Sequence, residues 1–444
     1  MGRWQREALT EGLLRDFATS SDPAVQAQLD RLAQLSLPQG RFGLETIRAL
    51  CNRLGHPEAR LPPVFHVAGT NGKGSTCAFL RAMLEAQGLS VHAATKPHLV
   101  RYNERIRIAG QLISDAELAA LLKETLDASE DLGPSFFEVT TAATFLAFAR
   151  HPADACVIET GLGGRFDATN VIPAPAVCGI ASLGIDHEAL LLAPEDGVPA
   201  EPLARIAFEK AGIAKPGVPL VTQAYPPSVE AALAAEAERR GARPARRGHE
   251  WFAEIGDRIR YRDAEGEIEL PLPALPGSHQ ADNAALAVAM LRHQSNLAVL
   301  PEAMAQGIRT PRWPARLQRL GLGPLTALAP GRRVWLDGGH NADAGLAIAR
   351  FFAGRQIHLI IGMLANKDPE AIVGPLRPLL ASVTVVPVPG SEHHPPAAFG
   401  PDAQSAPDVA TALRRLPADG VDVLIAGSLY LAGAVLAANG EIPD

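Results

Sequence analysis

The chain has 444 residues, of which 47% are apolar and 20% charged, as in a globular protein with a large core. This length exceeds one ordinary domain, so we expect two or three domains. A formal net charge of −7 disfavours non-specific binding to nucleic acid or to anionic membranes. Four scattered cysteines predict a reduced, cytoplasmic location and no zinc site, and we expect neither a signal peptide nor a membrane span.

Helix-like and strand-like segments alternate along the first half of the chain. Residues 24–37 and 43–54 have apolar side chains at helical spacing. An apolar strand run at 64–68 precedes a glycine-rich turn, and a helix is predicted over 77–87. Further predicted strands are 89–94, 155–158 and 178–183. Further predicted helices are 139–150 and 114–128, the latter with a capping box formed by Ser114 and Glu117.

Helix-like and strand-like segments continue to alternate in the second half of the chain. We predict a helix at 202–212, a strand at 219–222, a helix at 228–241, a hairpin within 257–270 and a helix ending at residue 293. Proline, glycine and arginine dominate around 307–330, which is typical of a linker. Beyond it, strands are predicted at 333–336, 357–362, 381–388 and 421–426, with a helix at 344–352.

This order of elements predicts an α/β fold with two domains. Residues 1–306 would form a P-loop-type, mostly parallel sheet domain flanked by helices, and residues 307–444 a smaller Rossmann-like α/β domain. In such sheets ligands bind beyond the carboxyl ends of the strands. Residues that directly follow strands are therefore the first candidates for a site.

A glycine-rich loop after the first predicted strand carries the clearest chemical signal. Its sequence is Gly69-Thr70-Asn71-Gly72-Lys73-Gly74-Ser75-Thr76. Glycines let backbone N–H groups point at phosphate oxygens, the lysine adds charge, and one of the two hydroxyls can hold Mg²⁺. A purely structural glycine turn would leave the lysine and the hydroxyls unexplained. We therefore predict ATP binding here.

Polar residues also follow the other predicted strands. Lys96 follows the strand at 89–94, Glu159 the strand at 155–158, and Asp186-His187 the strand at 178–183. Next to a phosphate-binding loop, a carboxylate and an imidazole are suitable ligands for a metal that is bound to phosphates. A turn carboxylate and a hydrogen-bonded histidine are the structural alternatives.

Lysine is rare in this chain, because only six of the 41 basic residues are lysines. Where most cations are arginine, a lysine indicates chemistry that arginine cannot perform, such as the loss of a proton. Lys210, near the end of a predicted helix, is one of the six. A simple cation at a helix end is the alternative.

Seven segments that occur in one order give the chain a family resemblance. They are residues 69–76, 159–170 (ETGLGGRFDATN), 186–187, 209–212 (EKAG), 279–284, Arg316 and 337–341 (DGGHN). From about residue 43 to residue 432 the chain resembles folylpolyglutamate synthase/dihydrofolate synthase, within the Mur-ligase superfamily. The resemblance implies an ATP- and Mg²⁺-dependent amide ligase of folate biosynthesis. It would add L-glutamate to dihydropteroate, to the γ-carboxylate of reduced folates, or to both, through an acyl phosphate.

The resemblance also implies roles for single residues. Lys73, Lys210 and His340 would be catalytic, with Lys210 carboxylated by CO₂ to N6-carboxylysine. CO₂ reacts only with a neutral amine, so the pKa of Lys210 must be depressed. Apart from residues 69–76, the nucleotide would contact Asn283, Arg316 and Asp337. The metal would be held by Glu159, His187 and Ser75. The pterin would contact Ser135, Phe136, Phe137, Glu138, Phe166, Asp167 and Ala168, although adjacent phenylalanines are as often partly core.

One position departs from the family pattern. Lys96 stands where the family usually has a serine whose hydroxyl is a Mg²⁺ ligand. A protonated amine cannot coordinate a metal. Either Lys96 places its charge on the phosphates, or Ser75 or Thr76 holds the metal instead.

Two other functions stay open at this stage. One is a Mur-type ligase for another carboxylate substrate, and the other is a nucleotide-binding protein with decayed chemistry. The segments at 159–170 and 209–212 favour the folate ligase. The expected partners are small molecules, namely ATP, L-glutamate and dihydropteroate or reduced folates, without nucleic acid or membrane. We expect a monomer.

Overall fold

The fold is described from a computed structural model, for residues 19–35 and 43–444. The amino-terminal residues 1–18 and the end of the helix predicted at 24–37 lie outside this description. No helix among the described residues is long and apolar enough to cross a membrane.

The strands of the described residues form three sheets. In chain order they are β1 Val64–Ala68, β2 Val91–Ala94, β3 Ile106–Ile108, β4 Gln111–Leu112, β5 Ala155–Glu159, β6 Val177–Ile180, β7 Pro219–Thr222, β8 Arg243–Arg246, β9 Phe252–Ile255, β10 Ile259–Asp263, β11 Gly266–Leu270, β12 Gln318–Arg319, β13 Val334–Leu336, β14 Ile357–Ile361, β15 Leu380–Val385, β16 Gln404–Ser405 and β17 Asp422–Ala426.

Helices connect most of these strands. In chain order they are α1 Pro23–Ala33, α2 Glu45–Arg53, α3 Lys73–Ala86, α4 Asp115–Asp127, α5 Phe136–Arg150, α6 Glu188–Leu191, α7 Pro202–Ala211, α8 Pro227–Arg239, α9 His279–His293, α10 Pro301–Arg309, α11 Ala342–Phe351, α12 Glu370–Leu376, α13 Val409–Arg414 and α14 Leu429–Asn439.

The largest sheet has eight strands in the order β4-β3-β2-β5-β1-β6-β7-β8. The six strands from β2 to β8 in this order are parallel, and only β3 and β4 run antiparallel. The central strands are buried along their whole length, as parallel strands covered by helices on both faces must be. The predicted mostly parallel α/β sheet is confirmed. Since β1 lies at its centre, the glycine loop begins in the middle of the carboxyl edge.

Helices cover both faces of this sheet. On one face, α3 packs with α9 and α10 in a core that includes Phe79, Met83 and Met290. On the other face, α4 and α5 form a second core with α1 and α2. Gly307 lets α10 approach α3 closely, because a Cβ at this position would lie 2.5 Å from the Met83 backbone. This packing fixes α3, and with it the glycine loop, against the sheet.

Two further sheets complete the fold. The predicted hairpin is present as β10 and β11, and β9 extends it to three antiparallel strands. The last sheet has six strands in the order β12-β13-β17-β14-β15-β16, all parallel except the pair β12 and β13. This second α/β sheet was expected from the alternation beyond residue 330. The exact division of the chain at residues 306 and 307 stays a prediction.

Several element bounds differ from the sequence-based expectations. Glu159 is the last residue of β5 and does not follow it. Ser114 caps α4 by accepting from the Glu117 backbone N–H, but the reciprocal bond of a capping box is absent there. A complete capping box instead starts α5, between Ser135 and Glu138. Helices α10, α12, α13 and α14 were not predicted from the sequence. Helix α14 is apolar on nearly all sides and so has no helical periodicity, whereas α10 has an apolar face formed by Ala303, Met304 and Ile308 that was overlooked.

Candidate active site

A cavity of about 640 Å³ lies at the carboxyl edge of the eight-stranded sheet. One wall is formed by the glycine loop and the ends of β2, β5 and β6. The facing wall is formed by residues that follow β13 and by the start of α14. Segments that are far apart in the sequence therefore meet in one space.

The glycine loop turns sharply between β1 and α3. Gly72 has a φ of +80°, a left-handed conformation that favours glycine. A Cβ there would lie 2.4 Å from Asn283 Oδ1, and a Cβ at Gly74 would lie 2.5 Å from the Trp313 ring. The loop thus needs glycine both for its turn and for its close contacts.

Two hydroxyls at the start of α3 were candidates to hold Mg²⁺. Ser75 lines the cavity. Thr76 is fully buried, does not line the cavity, and its Oγ1 has no hydrogen-bond partner among the described residues. The geometry favours Ser75.

Two lysines meet at one carbonyl group of the loop. Lys73 Nζ donates to Gly69 O at 3.0 Å and to Thr70 O at 3.1 Å, and Lys210 Nζ donates to Gly69 O at 2.9 Å. Burial, followed by repulsion from Lys73, lowers the pKa of Lys210 to about 7. Lys210 lies behind the loop and not on the cavity wall. A large share of its side chains is therefore neutral at neutral pH, as reaction with CO₂ requires.

The segment at 159–170 is packed directly onto the end of α7, which carries Lys210. The Arg165 backbone N–H donates to Glu209 O at 2.7 Å. A Cβ at Gly164 would lie 2.7 Å from Lys210 O, and a Cβ at Gly212 would lie 2.5 Å from the Arg165 backbone. The two motifs that pointed to the folate branch are thus one structural unit.

A buried ion cluster holds this unit in place. Glu209 accepts from the Arg165 guanidinium at 2.8 Å and from the Arg205 guanidinium at 2.9 Å. Glu195 accepts from the same two arginines, at 2.5 and 3.0 Å. Since each carboxylate bridges both arginines, the charges compensate one another within the protein.

The proposed metal ligands lie on the same cavity wall. Glu159, His187 and Ser75 all line it. Burial lowers the pKa of His187 to about 4, so its imidazole is neutral at neutral pH and able to ligate. Burial raises the pKa of Glu159, against the attraction of Lys73. This set of two oxygen donors and one nitrogen donor fits Mg²⁺ that is also bound to phosphate.

No group of three or more His, Cys, Asp and Glu side chains in residues 19–35 and 43–444 is arranged to hold a metal by itself. The ligand set predicted from the sequence therefore depends on the serine hydroxyl and on oxygens of the substrate. This is usual for Mg²⁺, which keeps waters and phosphate oxygens in its shell.

Lys96 joins the metal side of the cavity to its aromatic side. Its backbone N–H donates to Glu159 Oε2 at 3.0 Å, and its Nζ lies 5.9 Å from the centroid of the Phe137 ring. In the part of the chain that the structure describes, no carboxylate forms an ion pair with this ammonium. Burial acts against ionisation of Asp167, but the charge of Lys96 lowers the pKa of that carboxyl.

An acidic residue connects the two walls of the cavity. Asp186 accepts from Lys367 Nζ at 2.7 Å, and its carboxylate lies 3.8 Å from His340 Nε2 and 3.9 Å from His187 Nε2. Burial, followed by repulsion from Lys367, lowers the pKa of His340 to about 4. His340 is neutral at neutral pH and faces His187 across Asp186.

The three residues expected at the nucleotide are brought together. Asn283, Arg316 and Asp337 all line the cavity. Asp337 is buried and accepts from the backbone N–H groups of Leu317 and Gly339, at 2.8 and 2.7 Å. Its position is therefore fixed by the loops around it.

Most of the residues expected at the pterin do not line the cavity. Of the seven, only Phe137 lines the cavity. Ser135 and Glu138 are engaged in the capping box of α5, and Phe136 packs edge-on against Tyr102. Asp167 is committed to the backbone N–H groups of Gly161 and Leu162, both at 2.8 Å. Phe166 is covered by the Arg165 guanidinium, and Ala168 is buried. A pterin contact by these six stays a prediction.

Several charged or aromatic residues at the cavity were not predicted from the sequence. Arg105 is buried, its pKa is lowered to about 10 by burial, and it lies over the rings of Tyr102 and Phe136. Arg247 and Tyr430 also line the cavity, and Lys367 reaches it through its ion pair with Asp186, which is a lining residue. The scarcity of lysine could have drawn attention to Lys367. The arginines gave no signal, because arginine supplies most of the cations of this chain.

Fold and site together define a class. A glycine loop with a lysine lies at the end of a central parallel strand and faces a second α/β sheet across the cleft. This is the arrangement of a Mur-type ATP-dependent ligase.

No family model matches the chain. The chain is 36% identical to the dihydrofolate synthase/folylpolyglutamate synthase of Bacillus subtilis (strain 168) over 362 residues, which cover 77% of this chain and 80% of that protein. It is 36% identical to the corresponding Escherichia coli (strain K12) protein over 337 residues, 74% of this chain and 73% of that one.

Solved structures agree with these relatives. The crystal structure of bifunctional folylpolyglutamate synthase/dihydrofolate synthase from Yersinia pestis CO92 superposes with a TM-score of 0.81 at 30% identity, covering 93% of this chain and 98% of that one. A structure of E. coli FolC in complex with DHPP and ADP gives 0.81 at 30% identity, covering 94% and 97%. The chain belongs to the folylpolyglutamate synthase/dihydrofolate synthase family.

Proposed function

We propose that this chain is an ATP-dependent ligase that joins the amino group of L-glutamate to the carboxylate of dihydropteroate, of a reduced folate, or of both. The observation that carries the proposal is the cavity in which the glycine loop and Glu159 face Arg316, Asp337 and His340. A structure neighbour with Mn, AMPPNP and L-glutamate bound, at 30% identity and a TM-score of 0.81, supports it.

The nucleotide phosphates would lie on the glycine loop. Backbone N–H groups at the start of α3, the ammonium of Lys73 and the guanidinium of Arg316 supply positive charge there. Glu159, His187 and Ser75 would hold Mg²⁺, which when bound neutralises phosphate charge. Asn283 and Asp337 would position the rest of the nucleotide.

The first chemical step makes the acceptor reactive. An oxygen of the acceptor carboxylate attacks the γ-phosphorus of ATP, the bond to the β-phosphate oxygen breaks, and an acyl phosphate and ADP form. Charge moves from the γ-phosphate towards the ADP oxygen during this step. Lys73 already lies at the loop carbonyls of Gly69 and Thr70, so its ammonium is in position to balance that charge.

The second step forms the amide. The neutral amine of L-glutamate attacks the acyl carbon, loses a proton, and phosphate leaves with the electrons of the C–O bond. The neutral imidazole of His340, oriented by the Gly338 carbonyl at 3.1 Å, would orient the reacting groups. Closure of the cavity between the two sheets would keep water away from the acyl phosphate.

Lys210 would act from behind the loop. Its neutral amine can attack CO₂ and release one proton to solvent, which gives a carbamate anion whose nitrogen keeps one N–H to donate to the carbonyl of Gly69. The carbamate would place negative charge on the metal side of the loop. We propose that this charge helps to orient a second Mg²⁺.

The remaining assignments concern assembly and location. All four cysteines are free and buried, which supports a reducing compartment such as the cytoplasm. We propose a monomer that acts on small molecules and not on nucleic acid. Light scattering of the purified protein tests the oligomeric state.

The proposed function is tested by omitting one reaction component at a time. Purified protein with ATP, Mg²⁺, L-glutamate and dihydropteroate should release phosphate only when all four are present. A parallel assay replaces dihydropteroate by tetrahydrofolate. Phosphate release that continues without any pterin substrate would overturn the folate assignment and would favour a ligase for another carboxylate.

A further inference from the structure

Arg316 enters the cavity from a turn with an uncommon backbone. Its two neighbours, Ala315 and Leu317, have φ values of +55° and +47°, in the left-handed region that residues other than glycine rarely adopt. Both neighbours are buried. A left-handed conformation at two non-glycine residues costs free energy, and the surrounding structure must compensate for that cost.

Non-glycine residues with positive φ lie mostly at the cavity. Of the five in the part of the chain that the structure describes, His187 and Leu317 line the cavity, and Ala315 directly precedes the lining residue Arg316. The remaining two, one of which is Ala109 in the turn between β3 and β4, do not line it. Strained backbone at a site indicates that the fold holds a side chain in a required position.

Three hydrogen bonds hold the turn. The backbone N–H of Gly338 donates to the Ala315 carbonyl at 2.9 Å, and the backbone N–H of Leu317 donates to Asp337 Oδ2 at 2.8 Å. The third bond comes from a side chain, because Gln318 Oε1 accepts from the Ala315 backbone N–H at 3.0 Å. Two of these bonds tie the turn to the loop after β13, and the third closes the turn on itself.

The side-chain amide of Gln318 has a defined orientation. Its Nε2 donates to Glu441 Oε2 at 2.9 Å, and a carboxylate only accepts, so Oε1 is the end that faces Ala315. The backbone of Gln318 is fixed as well, because it pairs with Leu336 in the antiparallel ladder of β12 and β13. Gln318 is therefore a rigid support for the backbone N–H of Ala315.

The chain is also fixed before the turn. The Trp313 ring packs on the glycine loop, since a Cβ at Gly74 would lie 2.5 Å from this ring. Arg316 follows and lines the cavity, where Asp337 on the same wall and Glu159 on the facing wall both attract its guanidinium. Because carboxylates on two walls compete for this charge, its position depends on the backbone that carries it.

We propose that Gln318 is a positioning residue for nucleotide binding. Its amide holds Ala315 in the left-handed conformation, and this places the Arg316 guanidinium where the phosphates of the nucleotide bind. Gln318 does not itself line the cavity, so it acts through the turn. The inference rests on the proposed function, because it concerns nucleotide binding in the same cavity.

The first test measures the affinity of the purified protein for ADP, in the presence of Mg²⁺, by calorimetry. Gln318→Met keeps the length of the side chain and removes both amide groups, so we expect the Kd for ADP to rise about tenfold. Gln356→Met is the matched control and should leave the Kd unchanged, because Gln356 is an exposed glutamine before β14 that does not line the cavity. Equal Kd values for wild type and Gln318→Met would overturn the inference.

The Ala315→Gly substitution distinguishes positioning from a general loss of stability. Glycine adopts a φ of +55° without the cost that alanine has there, so Ala315→Gly added to Gln318→Met should recover most of the lost affinity. Ala109→Gly in the same background should recover none, because Ala109 has a φ of +45° but lies in the turn between β3 and β4. If Ala315→Gly recovered no affinity, Gln318 would not act by holding the turn, and the inference would be wrong.

A double-mutant cycle determines whether Gln318 acts through Arg316. In an Arg316→Gln background, Gln318→Met should cause no further rise in the Kd for ADP, whereas a defect in folding would add to the loss. A further rise of about tenfold in that background would overturn the inference. Wild-type protein that binds no ADP would instead refute the nucleotide site of the proposed function, so the two failures are distinguishable.

Discussion

Lys73 and Lys210 share a single acceptor, the carbonyl oxygen of Gly69, at 3.0 and 2.9 Å. Two ammonium groups on one carbonyl repel each other, and the more buried Lys210 has the lowered pKa, about 7. The loop that is to bind phosphate therefore also prepares a neutral amine behind it. This relationship ties the nucleotide site to the proposed carbamate.

The first prediction concerns the chemistry of Lys210. Arginine keeps the positive charge but forms no carbamate, so Lys210→Arg should lower kcat by about a hundredfold, the usual upper effect of a lost outer-shell metal partner. Lys123→Arg is the control, because Lys123 is 64% exposed and lies on α4, away from the cavity. Wild-type activity in the Lys210→Arg variant would refute the carbamate.

The second prediction concerns stability against pH. The pKa of Lys210 is about 7 in the folded protein and about 10.4 in the unfolded chain. Between pH 7 and pH 10.4 the unfolded chain therefore binds more protons than the folded protein, so the free energy of unfolding increases with pH. The burial of a protonated amine destabilises the folded protein most below pH 7, and this destabilisation decreases as the pH rises. Without bicarbonate, the free energy of unfolding of the wild type should rise relative to that of Lys210→Met by roughly 1 kcal/mol per pH unit between pH 7.5 and 9.

Urea unfolding at three pH values measures this difference. If the difference in the free energy of unfolding between wild type and Lys210→Met stayed constant across that range, the pKa of Lys210 would be the same in the folded and the unfolded chain, and the prediction would be wrong. Lys123→Met reports any general effect of removing a lysine.

The third prediction concerns Lys96 and the metal. Lys96 donates its backbone N–H to Glu159, and its side chain lines the cavity. The positive charge of this side chain should weaken the binding of a divalent cation there. Lys96→Ser should therefore tighten Mn²⁺ binding to the protein–ADP complex about tenfold, equal to roughly 1.4 kcal/mol. Electron paramagnetic resonance of free Mn²⁺ gives this affinity without an activity assay. Unchanged affinity would mean that the charge of Lys96 acts elsewhere.

The fourth prediction concerns the ion cluster that supports α7. Glu209→Gln leaves Arg165 and Arg205 with Glu195 alone, so the free energy of unfolding should fall by about 3 kcal/mol, as when a buried pair loses one partner. Glu238→Gln, on the exposed side of α8, is the control and should change little. Equal stabilities for the two variants would show that solvent already screens the cluster.

Sequence reasoning located the phosphate loop, Glu159, His187, Arg316 and Asp337, because each follows a strand or belongs to a recognisable motif. Parallel strands bring their carboxyl ends to one edge of a sheet, which predicts that the phosphate loop, Glu159 and His187 meet. Arg316 and Asp337 lie beside strands of the second α/β sheet, and only the family resemblance predicted that they reach the same site. The structure brings them into one cavity.

The pterin residues show where this reasoning stops. Ser135 and Glu138 form a capping box at the start of α5, and Asp167 accepts a hydrogen bond from the backbone of the preceding loop. Polar residues of a motif can therefore stabilise local structure and do not all contact a ligand. Arg105 and Arg247 were missed for the opposite reason. In a chain whose cations are mostly arginine, only three-dimensional position distinguishes a functional arginine from a surface one.

The acyl phosphate is the central claim, and oxygen transfer tests it most directly. Dihydropteroate labelled with ¹⁸O in both carboxylate oxygens is incubated with the protein, ATP, Mg²⁺ and L-glutamate, and the phosphate formed is analysed by mass spectrometry. The proposed reaction transfers one ¹⁸O to each phosphate, because the acceptor oxygen bonded to phosphorus leaves with it. Amide product accompanied by phosphate without ¹⁸O would contradict it.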